Sequence, residues 1–312
     1  MEPLVDESRR AIQRGSRSFA LAARLFDPST REGVILLYAW CRHCDDQIDE
    51  QALGFRTGLS SSASAEDRLA ALQRETRRAL AGEPVEEPAF AALQEVVRRH
   101  GIPERHPLDL LRGFAMDVEE RRHETLDDCC SYCYHVAGVV GVMMAYVMGA
   151  RGEDTLDRAA DLGIAFQMTN IVRDVVDDAE AGRVYLPGDW LREAGVPRGE
   201  LTRPEYRRAV HSVAERLLHE ADRYYASAEA GLARLPFRSA WAVAAARRVY
   251  RDIGRLVRKR GPRAWDRRAS TGRGRKILLT LAAAGDAAAA TFRGSRKAAA
   301  PRDGLWTRPR DC

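Results

Sequence analysis

Tyr38-Ala-Trp-Cys-Arg-His-Cys-Asp-Asp-Gln-Ile-Asp49 closes an apolar run with three carboxylates, Asp45, Asp46 and Asp49. At 3.6 residues per turn, Asp45 and Asp49 are i and i+4 and share a helix face. Val34, Leu37, Tyr38, Cys41 and Ile48 form an apolar stripe on that helix, and Asp45 falls in the middle of it. An aspartate aimed at a core needs neutralising, because an unpaired buried charge is very costly. Two readings stay open for the stretch alone: a salt-bridged helix end, or a carboxylate face that holds metal.

The rest of the chain offers little besides helix. Alternating strand patterns are scarce, and neither a βαβ rhythm nor a Gly-rich phosphate loop is visible. Asp27-Pro28 reads as an N-cap followed by proline at the first helical position, opening a helix that runs to about Glu50. Gly54 to Ala65 reads as a loop. Further helices are expected at about 66–82, 88–99, 107–122, 126–149, 154–180, 203–230, 237–260 and 273–291. No linker separates two hydrophobic blocks. The fold class is therefore all-α, in a single domain of residues 1–292. Residues 293–312 read as a basic, disordered tail, apart from any docking of Trp306.

The 312 residues are 45% hydrophobic and 30% charged, enough for one large core. The net charge of +5 is unevenly spread. Residues 240–312 hold 19 basic and 5 acidic residues, a net of +14, leaving −9 for residues 1–239. A basic end can meet nucleic acid, an acidic membrane surface or a diphosphate, or simply be solvated. No nucleic-acid-binding signature accompanies it, so no nucleic acid is expected. Met1 to Arg10 is charged from the start, unlike a signal peptide. The longest uncharged apolar run, Val136 to Ala150, falls short of the ~20 residues of a spanning helix and reads as a core helix. A cytoplasmic location is expected, with a peripheral contact at the inner face of the membrane left open. Cys41/Cys44 and Cys130/Cys133 have CxxC spacing, which admits zinc. Their helical setting without a Gly or Pro knuckle favours buried, reduced thiols.

The opening stretch has an echo. In Gln167-Met-Thr-Asn-Ile-Val-Arg-Asp-Val-Val-Asp-Asp178, Asn170, Asp174 and Asp178 are spaced i, i+4, i+8. With Gln167 they form a polar stripe along one edge of an apolar face of Ile164, Met168, Ile171, Val172 and Val175, with Arg173 on a neighbouring stripe. Two such helices suit a polyanion bound through divalent cations, since Mg²⁺ usually takes one or two carboxylates plus substrate phosphates. A di-iron bundle is the structural rival, but it needs Glu-x-x-His pairs that neither stretch offers.

Beyond these two stretches stand Gly15-Ser-Arg-Ser-Phe19, Gly113-Phe-Ala-Met-Asp117, Tyr132-Cys-Tyr-His-Val-Ala-Gly-Val-Val-Gly141, Arg183-Val-Tyr-Leu-Pro187 and Ala264-Trp-Asp-Arg-Arg268. In this order and spacing the chain resembles the squalene/phytoene synthase family over about Ser16 to Trp306, closest to its bacterial phytoene synthases. The resemblance implies an isoprenoid-synthase fold, a helical bundle around a central apolar cavity. It implies head-to-head condensation of two geranylgeranyl diphosphates to phytoene through prephytoene diphosphate, with Mg²⁺ or Mn²⁺ and without NADPH. Other carotenoid-pathway enzymes become possible partners. Asp45, Asp46 and Asp49 would bind metal at one diphosphate, and Asn170, Asp174 and Asp178 at the other. Ser16, Arg17, Arg42, Arg173, Arg183, Tyr185, Tyr250 and Arg267 would contact diphosphate oxygens. Tyr134 would lie near the reacting carbons, and residues 136–149, with Met143 and Met144, would line the tunnel. Where many relatives have Arg-Tyr before the Tyr-Cys-Tyr helix, this chain has Arg122-His123. Dehydrosqualene synthase, using farnesyl donors, is the enzyme rival. A non-catalytic relative is the alternative of another class, and it should have lost carboxylates from one stripe.

Overall fold

A computed structural model describes residues 22–48, 64–293 and 301–310, together with Ser8 and the backbone of 51–52 and 55–56. The first described helix, α1 (Pro28–Ile48), starts where its cap says. The Asp27 carboxylate accepts the Thr30 amide at 3.0 Å and satisfies a donor that the helix itself leaves open. α2 (Ala65–Leu80) and α3 (Pro88–His100) follow, and α3 stops at Gly101 in the left-handed conformation. α4 (Arg105–Val118) and α5 (Leu126–Cys133) come next. Thr125 and Asp128 form a reciprocal capping box that fixes where α5 begins. Gln51–Ala52 pairs antiparallel with Phe55–Arg56, the only strand pairing among the described residues.

A π-helical turn, Tyr134–Gly138, joins α5 to α6 (Val139–Val147). Helix runs through that turn, so Leu126–Val147 is long and apolar enough to cross a membrane by length and composition, longer than the uncharged run suggests. Yet 67% of its most apolar window is buried inside the fold, which is where a core helix belongs. α7 (Glu153–Glu180) is the central helix. α6 and the π-helical turn pack on it, as do α9 (Arg207–Gly231) and α10 (Phe237–Arg260). The approach of α6's segment to α7 is close. A Cβ on Gly163 would sit 2.3 Å from the Ala137 carbonyl oxygen, so only glycine fits. A short α8 (Gly188–Glu193), unsignalled by periodicity, precedes α9, and α11 (Arg273–Arg293) lies against α10.

α1 is buried more broadly than one stripe. Val34, Leu36 and Trp40 are fully enclosed, each adding ~1.5–3 kcal/mol of burial free energy. Cys44, Cys129, Cys130 and Cys133 are likewise small core residues with free thiols.

The tail departs from the disorder expected of 293–312. Residues 301–310 pack on the outer side of α7 over a row of carboxylates. Arg308 is fully buried, with its Nε 2.8 Å from Asp157 and its Nη2 on Glu153. Arg302 grips Asp161 at 2.7 and 2.8 Å, and the Trp306 ring lies 5.3 Å from that of Tyr134. A buried carboxylate row that faces arginines replaces the entropy that Ala, Pro and Arg composition alone would favour.

Candidate active site

The two carboxylate helices line one cavity of about 720 Å³. From α1 come Tyr38, Arg42 and Asp45; from α7 come Gln167, Asn170, Arg173, Asp174 and Asp178. The i, i+4, i+8 spacing therefore works as expected: it keeps Asn170, Asp174 and Asp178 on the cavity side, while Ile171, Val172 and Val175 are buried. On α1, Asp45 is half-exposed toward the cavity and Asp46 is buried outside its wall. Arg42 holds both, at 3.0 Å to Asp45 and 2.5 Å to Asp46. Asp46 is thus placed as an anchor for Arg42 rather than on the cavity surface. Asp49, Ser16 and Arg17 lie outside the described residues.

Asp174 is the most heavily engaged carboxylate. Arg173 donates to it through Nε at 2.9 and 3.0 Å and through Nη2 at 2.5 Å, while Arg268 makes two parallel bonds, both 2.9 Å. Burial opposes its charge, but the two guanidinium groups outweigh burial and hold its carboxyl below the usual value. Asp178, one turn on, lacks such a clamp. Burial first, and then the Asp174 charge, push it up to about 7 against the pull of Arg183. Asn170 donates to Gln167 at 3.3 Å, and its buried Oδ1 has no protein partner.

α7 ends in a tight turn at Gly182, whose φ of +80° L side chains rarely adopt. The Arg183 amide donates back to the Asp178 carbonyl at 2.8 Å. That reversal brings Arg183 and Tyr185 to the cavity wall. There the rings of Tyr185 and Tyr132 stack at 4.8 Å, and both hydroxyls donate to Asp117, at 2.9 and 3.1 Å. Tyr250 stacks on Phe166 at 4.2 Å, also at the wall, and burial pushes its phenol pKa up. Below this polar rim the wall is apolar: Val136, Val140, Met144 and Met148 from one face of the α6 segment, Leu110 and Phe114 from α4, Leu162 and Phe166 from α7.

Three expectations from the sequence shift here. Tyr134 is fully buried behind the wall, donating to Asp109 at 3.2 Å; Tyr132, two residues earlier and so on the other side of the helix, faces the cavity. Arg267 is exposed and offers its carbonyl to Arg260, whereas Arg268 reaches the cavity. The Trp265 indole donates to the Val172 carbonyl at 2.9 Å and anchors this loop so that the second arginine of the pair turns inward. Met143 is enclosed in the core, and only Met144 of the two lines the cavity. Asp117, Tyr132 and Arg268 join the site without having been given a role from sequence, while Tyr38 and Gln167, named only as members of the stripes on their helices, line it as well. Asp117 and Tyr132 sit inside the quoted motifs, but nothing in their spacing marks them.

The sequence profile described as Squalene/phytoene synthase matches residues 12–275. The chain belongs to the squalene/phytoene synthase family. A 15-cis-phytoene synthase from Pantoea ananas is 54% identical over 95% of this chain and 94% of that protein. Another from a Paracoccus species is 52% identical over 99% of both. Among solved structures, a dehydrosqualene synthase in complex with ligand superposes with a TM-score of 0.81 at 27% identity, covering 91% of this chain and 96% of that one. This family's all-α isoprenoid-synthase fold is the one described above.

Proposed function

We infer that the chain condenses two molecules of geranylgeranyl diphosphate head to head into phytoene, releasing two diphosphates, at the entry to carotenoid biosynthesis. The observation that carries this is identity above 50% over nearly the whole chain with bacterial proteins named 15-cis-phytoene synthase. The cavity supports it: a polar, arginine-rich rim suits diphosphates, and an apolar interior suits prenyl tails.

Asp45, Asn170, Asp174 and Asp178 present only oxygen donors, the set that Mg²⁺ and Mn²⁺ prefer. The partnerless Oδ1 of Asn170 fits such an ion. Among the described residues no three carboxylate, histidine or cysteine side chains converge into a metal site of their own. A bound divalent cation would neutralise the leaving diphosphate and ease its departure.

The rest falls to the protein. Arg42, Arg173 and Arg268 hold the carboxylates in position before substrate arrives, and each offers the planar fork that matches diphosphate oxygens. Arg183, Tyr185 and Tyr250 extend that rim. The first diphosphate leaves an allylic cation, the second prenyl chain's double bond attacks it, and loss of a proton closes the cyclopropane of prephytoene diphosphate. Loss of the second diphosphate, ring rearrangement and loss of a proton complete phytoene, so no reductant is required. The stacked faces of Tyr132 with Tyr185, and of Phe166 with Tyr250, stabilise positive charge beside them. The aliphatic wall keeps water from the cations.

Asp45→Asn and Asp174→Asn test the site assignment. Each should cut turnover of geranylgeranyl diphosphate by at least about 100-fold, with the far-UV circular dichroism unchanged. Near-normal activity in either variant removes that residue from the site.

A further inference from the structure

α11 shows two unlike faces. Its inner face is fixed to α10: Ala283 and Ala287 are fully buried against Ala240, Ala244 and Ala245. Arg248 grips Asp286 with two bonds of 2.6 Å, and the Trp241 indole donates to the Thr280 carbonyl at 2.7 Å. The outer face carries Ile277, Leu278, Leu281 and Phe292, which are 56%, 60%, 62% and 89% exposed. At about 100° per residue, these four fall within one arc of ~100°. Four large apolar side chains on one helix face are more than the scattered singles a soluble surface ordinarily shows.

The sequence around this face is cationic, although Arg275 is itself paired with Asp252 at 2.6 Å. Between positions 273 and 297 the sequence holds Arg273, Arg275, Lys276, Arg293, Arg296 and Lys297. The sole acid in that interval is Asp286, on the inner face and already paired. An apolar strip within a cationic stretch of sequence is the pattern of a helix that lies in the plane of an anionic bilayer surface. The inner face of the same helix sits beside the greasy end of the cavity. Leu232, Leu235 and Val243 line the cavity and pack in the same small cluster as Ala283 and Ala287. One layer of aliphatic side chains therefore separates the cavity from α11.

We propose that the outer face of α11 is the surface on which this chain docks to an anionic lipid bilayer, with the apolar end of its cavity turned toward the acyl layer. The docking stands on the helix face and its charge, independently of which prenyl diphosphate the cavity takes.

The test is flotation of the full chain with phosphatidylcholine vesicles and with mixed phosphatidylcholine/phosphatidylglycerol vesicles. The chain should float with the mixed vesicles, bind neutral ones weakly, and be released by salt. Leu278→Ser combined with Leu281→Ser should lower the partition onto mixed vesicles at least about tenfold. Turnover of detergent-dispersed substrate and the thermal midpoint should stay unchanged, because both side chains are exposed. Undiminished flotation of the double variant would overturn the proposal, as would equal binding to neutral and anionic vesicles. Light scattering after size exclusion tests the competing occupant. A dimer that the double variant turns into a monomer would assign the face to a second copy of the chain and overturn the lipid assignment.

Discussion

Asp174 is held by Arg173 and Arg268 at once, so a cation that uses this carboxylate competes with two guanidinium groups. Arg268→Met should therefore act in opposite directions on two ligands. Mn²⁺ alone, followed by electron paramagnetic resonance, should bind several-fold tighter, since one competitor is gone. Inorganic diphosphate with Mn²⁺ present should bind about tenfold weaker, since a charge-assisted fork is lost. Parallel changes in both would contradict the exchange. His123 is a second residue with a measurable signature. Its ring lies 4.9 Å from Tyr132, and burial first, then the Arg198 charge, lower its pKa to about 4. The unfolded value is ~6.5, so the folded state prefers the neutral ring. The stability this contributes is whole above pH ~6.5 and is lost as pH falls toward 4, a loss on the order of 3 kcal/mol. His123→Phe should flatten the fall of Tm between pH 7 and pH 4.5; an equally steep fall would show that other groups carry it.

Elements are legible in the sequence where the residues that end them act locally. Asp27-Pro28 caps α1 as expected. The π-helical turn at Tyr134–Gly138 has no such signal, because its extra residue answers the fit of the segment against α7. The order of the tail is hidden for a related reason. Arg302 and Arg308 look solvated in sequence, and their partners Asp161 and Asp157 are about 150 residues away. Arg308→Ala should lower stability by about 2–3 kcal/mol, the cost of taking a buried guanidinium from Asp157, which keeps only Arg302 and Arg310. Arg310→Ala, at a half-exposed site on the same Asp157, should cost under about 1 kcal/mol. Denaturant titration reads both, and equal losses would mean the tail is held by contacts other than the Arg308 pair.

For the whole molecule, the repeat of four along α7 puts Asn170, Asp174 and Asp178 on one rim across from Asp45 of α1, since residues so spaced face one way. Which neighbours complete that rim is not legible. Arg267 and Arg268 differ only in where the Trp265 anchor turns them, and Tyr132 and Tyr134 only in helix side. The cavity below the rim gives a further expectation. Met144 is on its wall, so Met144→Trp should shorten the space and shift relative turnover toward farnesyl diphosphate, read from product chain length. Rim and cavity together serve one central claim, the cation-assisted joining of two C20 chains. Purified chain incubated with geranylgeranyl and farnesyl diphosphates in parallel, with Mg²⁺ or with excess chelator, tests it most directly. The expected result is phytoene from geranylgeranyl diphosphate with Mg²⁺ and none with chelator. Hydrocarbon formed after full removal of divalent ions, or a C30 product alone, would contradict it.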